Sequence, residues 1–415
     1  MLTLTKDMKP DYEFYQYLLD LVSNNYGIPV DLERFEHYTT YYTELINGMR
    51  KEMDEYVASK GEKWGVNPNS PAQVKEFLIY KEKIATDLLR DNKNKVSTSE
   101  RVLRKLQEKR YSPYVDMLLK YRKENNTLST LRGLRKHIQR SGLTNSLGNE
   151  IGFMFPTFVR QETSRYYSNE PNVQGINSVI IDIITCNDGY ELVWFDMKQQ
   201  EPIIFFNTIG YDRQILDLFD KHDDKYLALI EYITGTDKHS KDMRDKYKIA
   251  ILSASYLAYK NTIAYNTGSM KIATQVYDFY QNNKTLSAFK KETLDRILHG
   301  SDPVIHSYFG TPRRLNPNIN RNSLLREIVN TPIQGTGADL IVHCIVHTVA
   351  ELHELGYKYG EDYWYMIPVH DEAVFQVKRE KKHLIMPIME RNFNIQVDNW
   401  TPIRSTKDSG IHYMK

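Results

Sequence analysis

Cysteine is nearly absent: Cys186 and Cys344 are the only two in 415 residues. Both sit in apolar stretches, which leaves no disulfide framework and no thiolate zinc site and suits a reducing compartment. No run of about 18 apolar residues occurs, so no segment reads as a transmembrane helix. The start, MLTLTKDMKPDYEF, lacks a basic region followed by an apolar stretch, so secretion is not expected. Charge of either sign is barely in excess. With 55 Lys and Arg against 53 Asp and Glu the net charge is +2, and bulk charge alone does not indicate a polyanionic partner. Internal repeats and low-complexity segments are also missing. What is present, 41% hydrophobic and 26% charged residues, is the composition of an ordinary globular chain, long enough for two or three domains.

The distribution of charge says more than its sum. Arg101 to Arg140 holds twelve Lys and Arg against three acids, with Tyr111, Tyr114 and Tyr121 interleaved. A basic helical arm of this kind suits a phosphate backbone, where each contact releases counterions; a solvated helical face is the ordinary alternative. The arm follows a mostly helical region. That region breaks at Asn24–Pro29, and a new helix starts near Asp31. Asn67-Pro-Asn-Ser-Pro71 marks another helix start, and Ser97-x-x-Glu100 a capping box. From Gly148 to Asn177 helix signals are few, and Thr163 to Asn177 is a long polar loop suited to binding. The runs Val179–Thr185 and Tyr190–Phe195 read as strands around an Asn187-Asp-Gly189 turn, and a helix follows from Gln199. Residues 205–300 are mostly helical, with breaks near Gly235–Asp237 and Asn282–Lys284.

Four stretches carry candidate chemistry. Tyr365 to Val377, YMIPVHDEAVFQV, reads as a hairpin with His370, Asp371 and Glu372 at its tip. Adjacent carboxylates repel each other unless a cation neutralises them, and hard divalent cations take oxygen ligands. Asp196 ends a strand just before a helix, where it suits a metal ligand or a helix cap. Arg244, Lys248, Leu252 and Tyr256 recur every four residues, so they hold one helix face over about 18 Å. Two cations followed by an aromatic match a triphosphate joined to a sugar and base. Finally, Asn330-Thr-Pro-Ile-Gln-Gly-Thr-Gly337 leads into the apolar run Ala338–Leu352. Pro332 there suggests the first turn of a buried helix, with Asn330 and Gln334 facing a ligand.

Singly, each stretch has an ordinary reading. In this order the set resembles the polymerase domain of family A DNA polymerases, the DNA polymerase I type, from about Asn24 to the C-terminus. Asp196-Met-Lys-Gln-Gln-Glu201 is similar to the first palm motif of that family, and His370-Asp371-Glu372 to the second. Arg244, Lys248, Leu252 and Tyr256 resemble the fingers helix. Thr163-Ser-Arg165 with Pro171-Asn-Val-Gln-Gly-Ile176 resembles the primer-template loop. Arg326, Asn330, Pro332 and Gln334-Gly-Thr336 match the last motif, and Asn24–Val30, Asn67–Val74 and Ser97–Leu106 resemble the thumb.

The resemblance implies an α+β, right-hand polymerase fold with an antiparallel-sheet palm, helical fingers and helical thumb. The N-terminal segment and thumb would span 1–145, the palm 146–205 and 306–415, and the fingers 206–305. It implies primer-dependent, template-directed DNA synthesis with two Mg²⁺ ions, for which Mn²⁺ can substitute. Asp196 and Asp371 would bridge the metals, with the Met197 carbonyl as a further ligand and Glu372 as a weaker one. Arg244 and Lys248 would hold the β- and γ-phosphates, and Lys248 would protonate the departing pyrophosphate. Tyr256 would lie by the sugar and templating base. Glu201, hydrogen-bonded to Tyr256, would exclude a ribose 2′-hydroxyl. Gln199, Tyr226 and Leu252 would also meet the dNTP. Arg165, Asn172, Gln174, Arg326, Asn330, Gln334 and His370 would contact primer and template.

Departures from the pattern are specific. Leu252 stands where the family has Phe or Tyr, Tyr226 where it usually has a phosphate-contacting His, Ser164 where it has Gly, and Gly175 where it has Asn. They suggest a divergent, phage-like member. Nothing before residue 24 would hold a 3′–5′ exonuclease, so proofreading is expected from a separate chain, and a processivity factor could join it. The implied protein is a monomer of the bacterial or phage-infected cell cytoplasm, with no membrane association. Three rivals stay open. A single-subunit RNA polymerase shares the palm but has a small residue at the Glu201 position; a catalytically dead DNA-binding factor would not need both aspartates; a metal nuclease would not need the phosphate-holding helix.

Overall fold

The computed structural model describes residues 1–91, 94–236, 240–369 and 371–414. The chain forms two compact units, each built from discontinuous segments. The first combines Met1–Ile28, Phe155–Gln174 and Cys186–Ile411; the second combines Pro29–Met154, Gly175–Thr185 and His412–Lys415.

Strand β1 (Leu2–Leu4) and helix α1 (Tyr12–Leu21) begin the first unit, with the Asp11 carboxylate accepting the Phe14 N–H at 2.8 Å as the cap of α1. The second unit follows as β2 (Ile28–Asp31), α2 (Leu32–Ser59), α3 (Pro71–Tyr80), α4 (Glu100–Lys109), α5 (Pro113–Arg135), β3 (Gln139–Thr144) and β4 (Glu150–Met154). Its long helices α2 and α5 pack on each other, burying Phe35, Tyr42 and Met53 on one and Leu118, Leu128 and Leu131 on the other. Ser70 and Ser112 cap α3 and α5, each with a proline at the first helical position, where its missing N–H costs nothing. Asp31 is fully buried, 2.9 Å from His412 Nε2 and accepting from Asn149 at 2.9 Å and Asn145 at 3.0 Å. Burial alone would raise its pKa. The hydrogen bonds from His412, the Arg34 N–H and Asn149 outweigh that and hold it at about 2.

The first unit resumes with a hairpin of β5 (Thr157–Arg160) and β6 (Tyr166–Asn169), then β7 (Tyr190–Met197). A helical run comes next: α6 (Gln200–Asn207), α7 (Arg213–Lys221), α8 (Lys225–Thr234), α9 (Lys241–Ser255), α10 (Lys260–Thr267), α11 (Met270–Asn282) and α12 (Lys284–His299). A short hairpin, β8 (Val304–His306) and β9 (Pro312–Arg314), leads to α13 (Arg321–Glu354). The end comprises β10 (Tyr363–Val369), β11 (Glu372–Lys378), α14 (Lys382–Phe393), β12 (Ile395–Val397) and β13 (Ser405–Gly410). An antiparallel sheet in the order β10-β11-β7-β13 is the centre of this unit. Strands β10 and β11 and most of β7 are buried, whereas the edge strand β13 is not, and Phe195 of β7 stacks on Phe393 of α14 at 4.7 Å. Such segregated helices and antiparallel strands make the fold α+β. Among the described residues no helix is long and apolar enough to cross a membrane.

Several local expectations are corrected. Val179–Thr185 is not a strand: Ile181–Ile183 is a 3₁₀ turn, because Asp182 is drawn into bonds with Tyr38 and Arg34. The long polar loop contains β6 and part of the β5–β6 hairpin. The Ser97 capping box does not form. Ser99 precedes α4 without a side-chain cap, and the Ser97 hydroxyl accepts the Ser99 N–H at 3.2 Å instead. Pro332 does not start a helix but lies inside α13, which begins eleven residues earlier at Arg321. Buried neighbours Leu324, Ile328 and Ile333 hold the helix together across the missing hydrogen bond. Both cysteines are free and buried, and burial pushes the Cys186 thiol up to about 12.

Candidate active site

The aspartates meet because two strands end together. In β7 the residues Val193 to Phe195 are buried, whereas Asp196 is exposed at the strand end. Its Cα pairs with Glu372 on one side and Thr406 on the other. Val369, the last residue of β10, pairs with Glu372, the first of β11. Asp371 lies in a turn just before β11, and its carbonyl accepts the Met197 N–H at 3.1 Å. One backbone bond thus fixes the Asp371 turn to the end of β7. Glu372 differs from the expectation of a charged tip. It is the first residue of β11 and only 2% exposed. His370 lies outside the described residues.

The cationic helix face is held by an unforeseen acid. Asp224 caps α8, its Oδ1 accepting from the Tyr226 N–H at 2.9 Å and the Leu227 N–H at 3.2 Å. Its other oxygen pairs with the Arg244 guanidinium through Nε at 2.9 Å and Nη2 at 2.8 Å. Gln199, in the left-handed conformation at φ 52° between β7 and α6, donates to Asp224 at 3.3 Å and accepts the Lys225 N–H at 2.6 Å. The ring of Tyr226 lies under both cations, 5.7 Å from Arg244 and 5.6 Å from Lys248. Burial first, then the charges of Glu201, Asp371 and Asp224, push the Tyr226 phenol above its usual pKa against the pull of Arg244. The same ring therefore feels both the Asp371 carboxylate and the Arg244 guanidinium.

Glu201 and Tyr256 are neighbours whose carboxylate and phenol interact. The Glu201 carboxylate accepts from Arg165 at 3.3 Å. The Tyr256 hydroxyl is buried, and burial first, then the charge of the Glu201 carboxylate and a hydrogen bond to it, raise its pKa. Two buried polar atoms on this side lack partners, Asn330 Oδ1 and Gln200 Oε1. A substituent on Gly337 of α13 would touch the Gln200 amide at 3.4 Å. Such atoms cost stability unless a ligand or water satisfies them. Gln334 is half-buried on the same helix, and its side chain acts on the Tyr256 phenol.

The remaining sites are more dispersed. Leu252 is half-buried on α9. The Arg326 guanidinium lies 5.5 Å from the Tyr259 ring. Asn172 is exposed. Gln174 is committed within the unit: it accepts the Ser168 N–H at 2.8 Å and donates to the carbonyls of Tyr166, at 3.1 Å, and Pro368. Sequence reasoning missed Asp224 and Gln200. An Asp just before an amphipathic helix is a cap signal that could have found Asp224. Nothing local marks Gln200.

Asp196, Asp371 and the Met197 carbonyl are hard oxygen donors, and Asp371 forms no ion pair among the described residues. No three acidic, imidazole or thiol groups converge into a closed cage among those residues. An open set of two carboxylates fits Mg²⁺, which keeps waters and takes its other ligands from substrate phosphates.

A model of DNA polymerase family A matches residues 34–410. Curated relatives include DNA polymerase I of Aquifex aeolicus, 26% identical over 88% of this chain and 60% of its own length. DNA polymerase I of Bacillus subtilis is 26% identical over 89% of this chain and 42% of that protein. The chain thus spans about half the length of the curated relatives it matches. Among solved structures, the polymerase domain of Pol1 from M. smegmatis, in complex with DNA primer-template and dNTP, superposes with a TM-score of 0.79 at 21% identity. It covers 96% of this chain and 70% of that one.

Proposed function

The chain belongs to DNA polymerase family A, and from that premise we propose that it extends a DNA primer along a template, using dNTPs. The observation that carries this reading is the convergence around Tyr226. The charges of Glu201 and Asp371 act on its hydroxyl, while Arg244 and Lys248 lie over its ring. Paired carboxylates beside two cations and a tyrosine are what nucleotidyl transfer from a triphosphate requires. We assign residues 1–145 to an N-terminal segment and thumb, 146–205 and 306–415 to the palm, and 206–305 to the fingers.

In this reading Asp196, Asp371 and the Met197 carbonyl would hold two Mg²⁺ ions. When bound, these supply Lewis acidity that favours the 3′-alkoxide and offsets charge on the pyrophosphate. The primer 3′-hydroxyl gives its proton to solvent, its oxygen attacks the α-phosphorus to form a new P–O bond, and the bond to the β-phosphate oxygen breaks. Arg244 and Lys248 bind the β- and γ-phosphates, and Lys248 gives a proton to the departing pyrophosphate. Tyr226 donates a hydrogen bond where a histidine would also bring charge. Gln199 keeps Asp224, and through it Arg244, beside the triphosphate. Tyr256 packs by the sugar and templating base, and Glu201 excludes a 2′-hydroxyl once Arg165 turns to the primer terminus. Leu252 leaves more room at the sugar 3′ position than an aromatic ring. Arg165, Asn172, Gln174, Arg326, Asn330, Gln334 and His370 meet the duplex, largely through minor-groove acceptors that are nearly alike for all four pairs. The basic arm on α4 and α5 grips phosphates.

Primer extension with Mg²⁺ and each nucleotide set tests the reading. Wild type should extend with dNTPs. Asp196→Ala and Asp371→Ala should each abolish extension while retaining primer-template affinity, since Asp196 is exposed and Asp371 lies in a turn. A preference for rNTPs would favour an RNA polymerase. Extension by the alanine variants at the wild-type rate would refute the two-metal assignment.

A further inference from the structure

The four tryptophans divide into two kinds. Trp194, Trp364 and Trp400 are at most 8% exposed, whereas Trp64, in the link between α2 and α3, is 91% exposed. That link is anchored. The Gly61 N–H bonds the Ala58 carbonyl at 2.9 Å, and Lys81 donates to the Gly61 carbonyl at 3.3 Å while pairing with Glu62 at 3.4 Å. Gly61 and Gly65 both take the left-handed conformation, at φ 75° and 68°, which costs glycine little, and between them the chain holds Trp64 out in solvent. Two more large rings are exposed at the same end of the second unit: Tyr80, the last residue of α3, at 70%, and Tyr111, in the link from α4 to α5, at 69%. Glu82 knits the three links together. Its carboxylate accepts from Tyr56 of α2 at 3.0 Å and from Ser112 at 3.0 Å, and it pairs with Lys60 at 3.2 Å. Arg110 donates to the carbonyls of Glu82 and Lys83 at 3.0 and 2.9 Å. The links hold Lys60, Lys63, Lys81, Lys83 and Arg110 against Glu62 and Glu82. Both acids are already paired, while Lys63 and Lys83 are exposed and form no ion pair among the described residues.

We propose that this end of the second unit is a docking surface for an acidic segment of a partner protein, whose apolar side chains pack on Trp64, Tyr80 and Tyr111 and whose carboxylates meet Lys63 and Lys83. Exposed tryptophan and tyrosine on an anchored frame are what anchors a protein interface, since their large rings gain most from leaving water and lose little freedom. The charge selects the partner. The basic arm of the same unit holds twelve cations against three acids, an excess suited to a phosphate at every nucleotide. Here five cations stand against two acids and surround three rings, which complements a segment mixing carboxylates with apolar side chains. The inference stands independently of the polymerase reading.

A yeast-displayed library of random dodecapeptides, selected on the full chain and counter-selected on the Trp64→Ala, Tyr80→Ala double variant, tests it. Recovered sequences should combine Asp and Glu with Leu, Ile or Phe. Trp64 is its own reporter, because the other three tryptophans are buried. A synthetic copy of the recovered peptide should blue-shift the tryptophan emission and protect it from acrylamide quenching. The double variant should keep the melting temperature and the affinity for primer-template, and lose at least about tenfold in peptide affinity by anisotropy. Lys63→Glu with Lys83→Glu should weaken the peptide about five- to tenfold, and added salt should weaken wild-type binding in the same direction. Recovery of no Trp64-dependent sequence, or of sequences without acids, would overturn the proposal. Protection of Trp64 by oligo(dT) as strong as by the peptide would overturn it in favour of a single-strand surface. Protection that grows with protein concentration alone would overturn it in favour of a second copy of this chain. Loss of primer-template affinity in the double variant at an unchanged melting temperature would place the rings on the DNA path and also overturn it.

Discussion

Asp224→Asn offers a sharp test of the proposed triphosphate site. Arg244 is held by two bonds to Asp224, at 2.9 and 2.8 Å, and a nucleotide must compete with that pair. Both side chains are about a quarter exposed, 25% and 26%, so solvent screens the interaction. An exposed pair of this kind is worth about 1 kcal/mol at most. Asparagine caps a helix as well as aspartate does, so α8 should stay capped and stability should change by less than about 0.5 kcal/mol. Releasing Arg244 should then tighten dNTP binding by up to about fivefold, the equivalent of 1 kcal/mol. Single-turnover extension over a range of dNTP concentrations measures that Kd. The gain could also come from removing a negative charge near the phosphates. Asp224→Asn placed in an Arg244→Ala background separates the two, because a latch needs Arg244 and simple repulsion does not. Weaker dNTP binding in Asp224→Asn would refute the latch and make Asp224 a group that holds Arg244 in its working position.

Three further outcomes follow from the same structure. Glu201→Ala should raise use of rNTPs relative to dNTPs by about ten- to a hundredfold, the range for steric rejection of one small group; competition between the two sugars in single-nucleotide extension measures it, and unchanged selection removes Glu201 from that role. Asp31 has its pKa lowered from 3.8 to about 2, so its contribution is full above pH 3.8 and is lost as pH falls toward 2. That contribution is about 2 kcal/mol, and denaturant melts of Asp31→Asn should show a correspondingly flatter acid limb. His343, 3% exposed, is kept neutral by burial and by His347, with its pKa lowered from 6.5 to about 4. The unfolded chain takes up a proton first, so stability should drop by about 3 kcal/mol between pH 6.5 and 4, and His343→Leu should lose that pH dependence.

Local signals in the chain were dependable where one residue carries the physics. The Ser70-Pro71 helix start, the break after Gly235 and the short polar turn of the β10–β11 hairpin all appear where residue type alone sets the backbone. Signals failed where tertiary packing overrules propensity. Pro332 reads as a helix start, yet its buried neighbours carry α13 through it. The apolar run at 179–185 reads as a strand, yet Asp182 is taken up by Arg34 and Tyr38.

The candidate site divides in the same way. The sequence by itself determined which groups could do the chemistry: Asp196, Asp371, Arg244, Lys248 and Tyr256 are legible from residue type and spacing, because a helix face and a strand end follow from fixed backbone periods. Only the tertiary structure decided how those groups are occupied. The Met197–Asp371 bond brings the aspartates to one sheet end, Asp224 occupies Arg244, Arg165 occupies Glu201, and Tyr226 lies beneath two cations. These pairings join residues between 18 and 174 positions apart along the chain. No periodicity spans such gaps; they exist because the packed sheet and helices bring these groups together in a partly desolvated space.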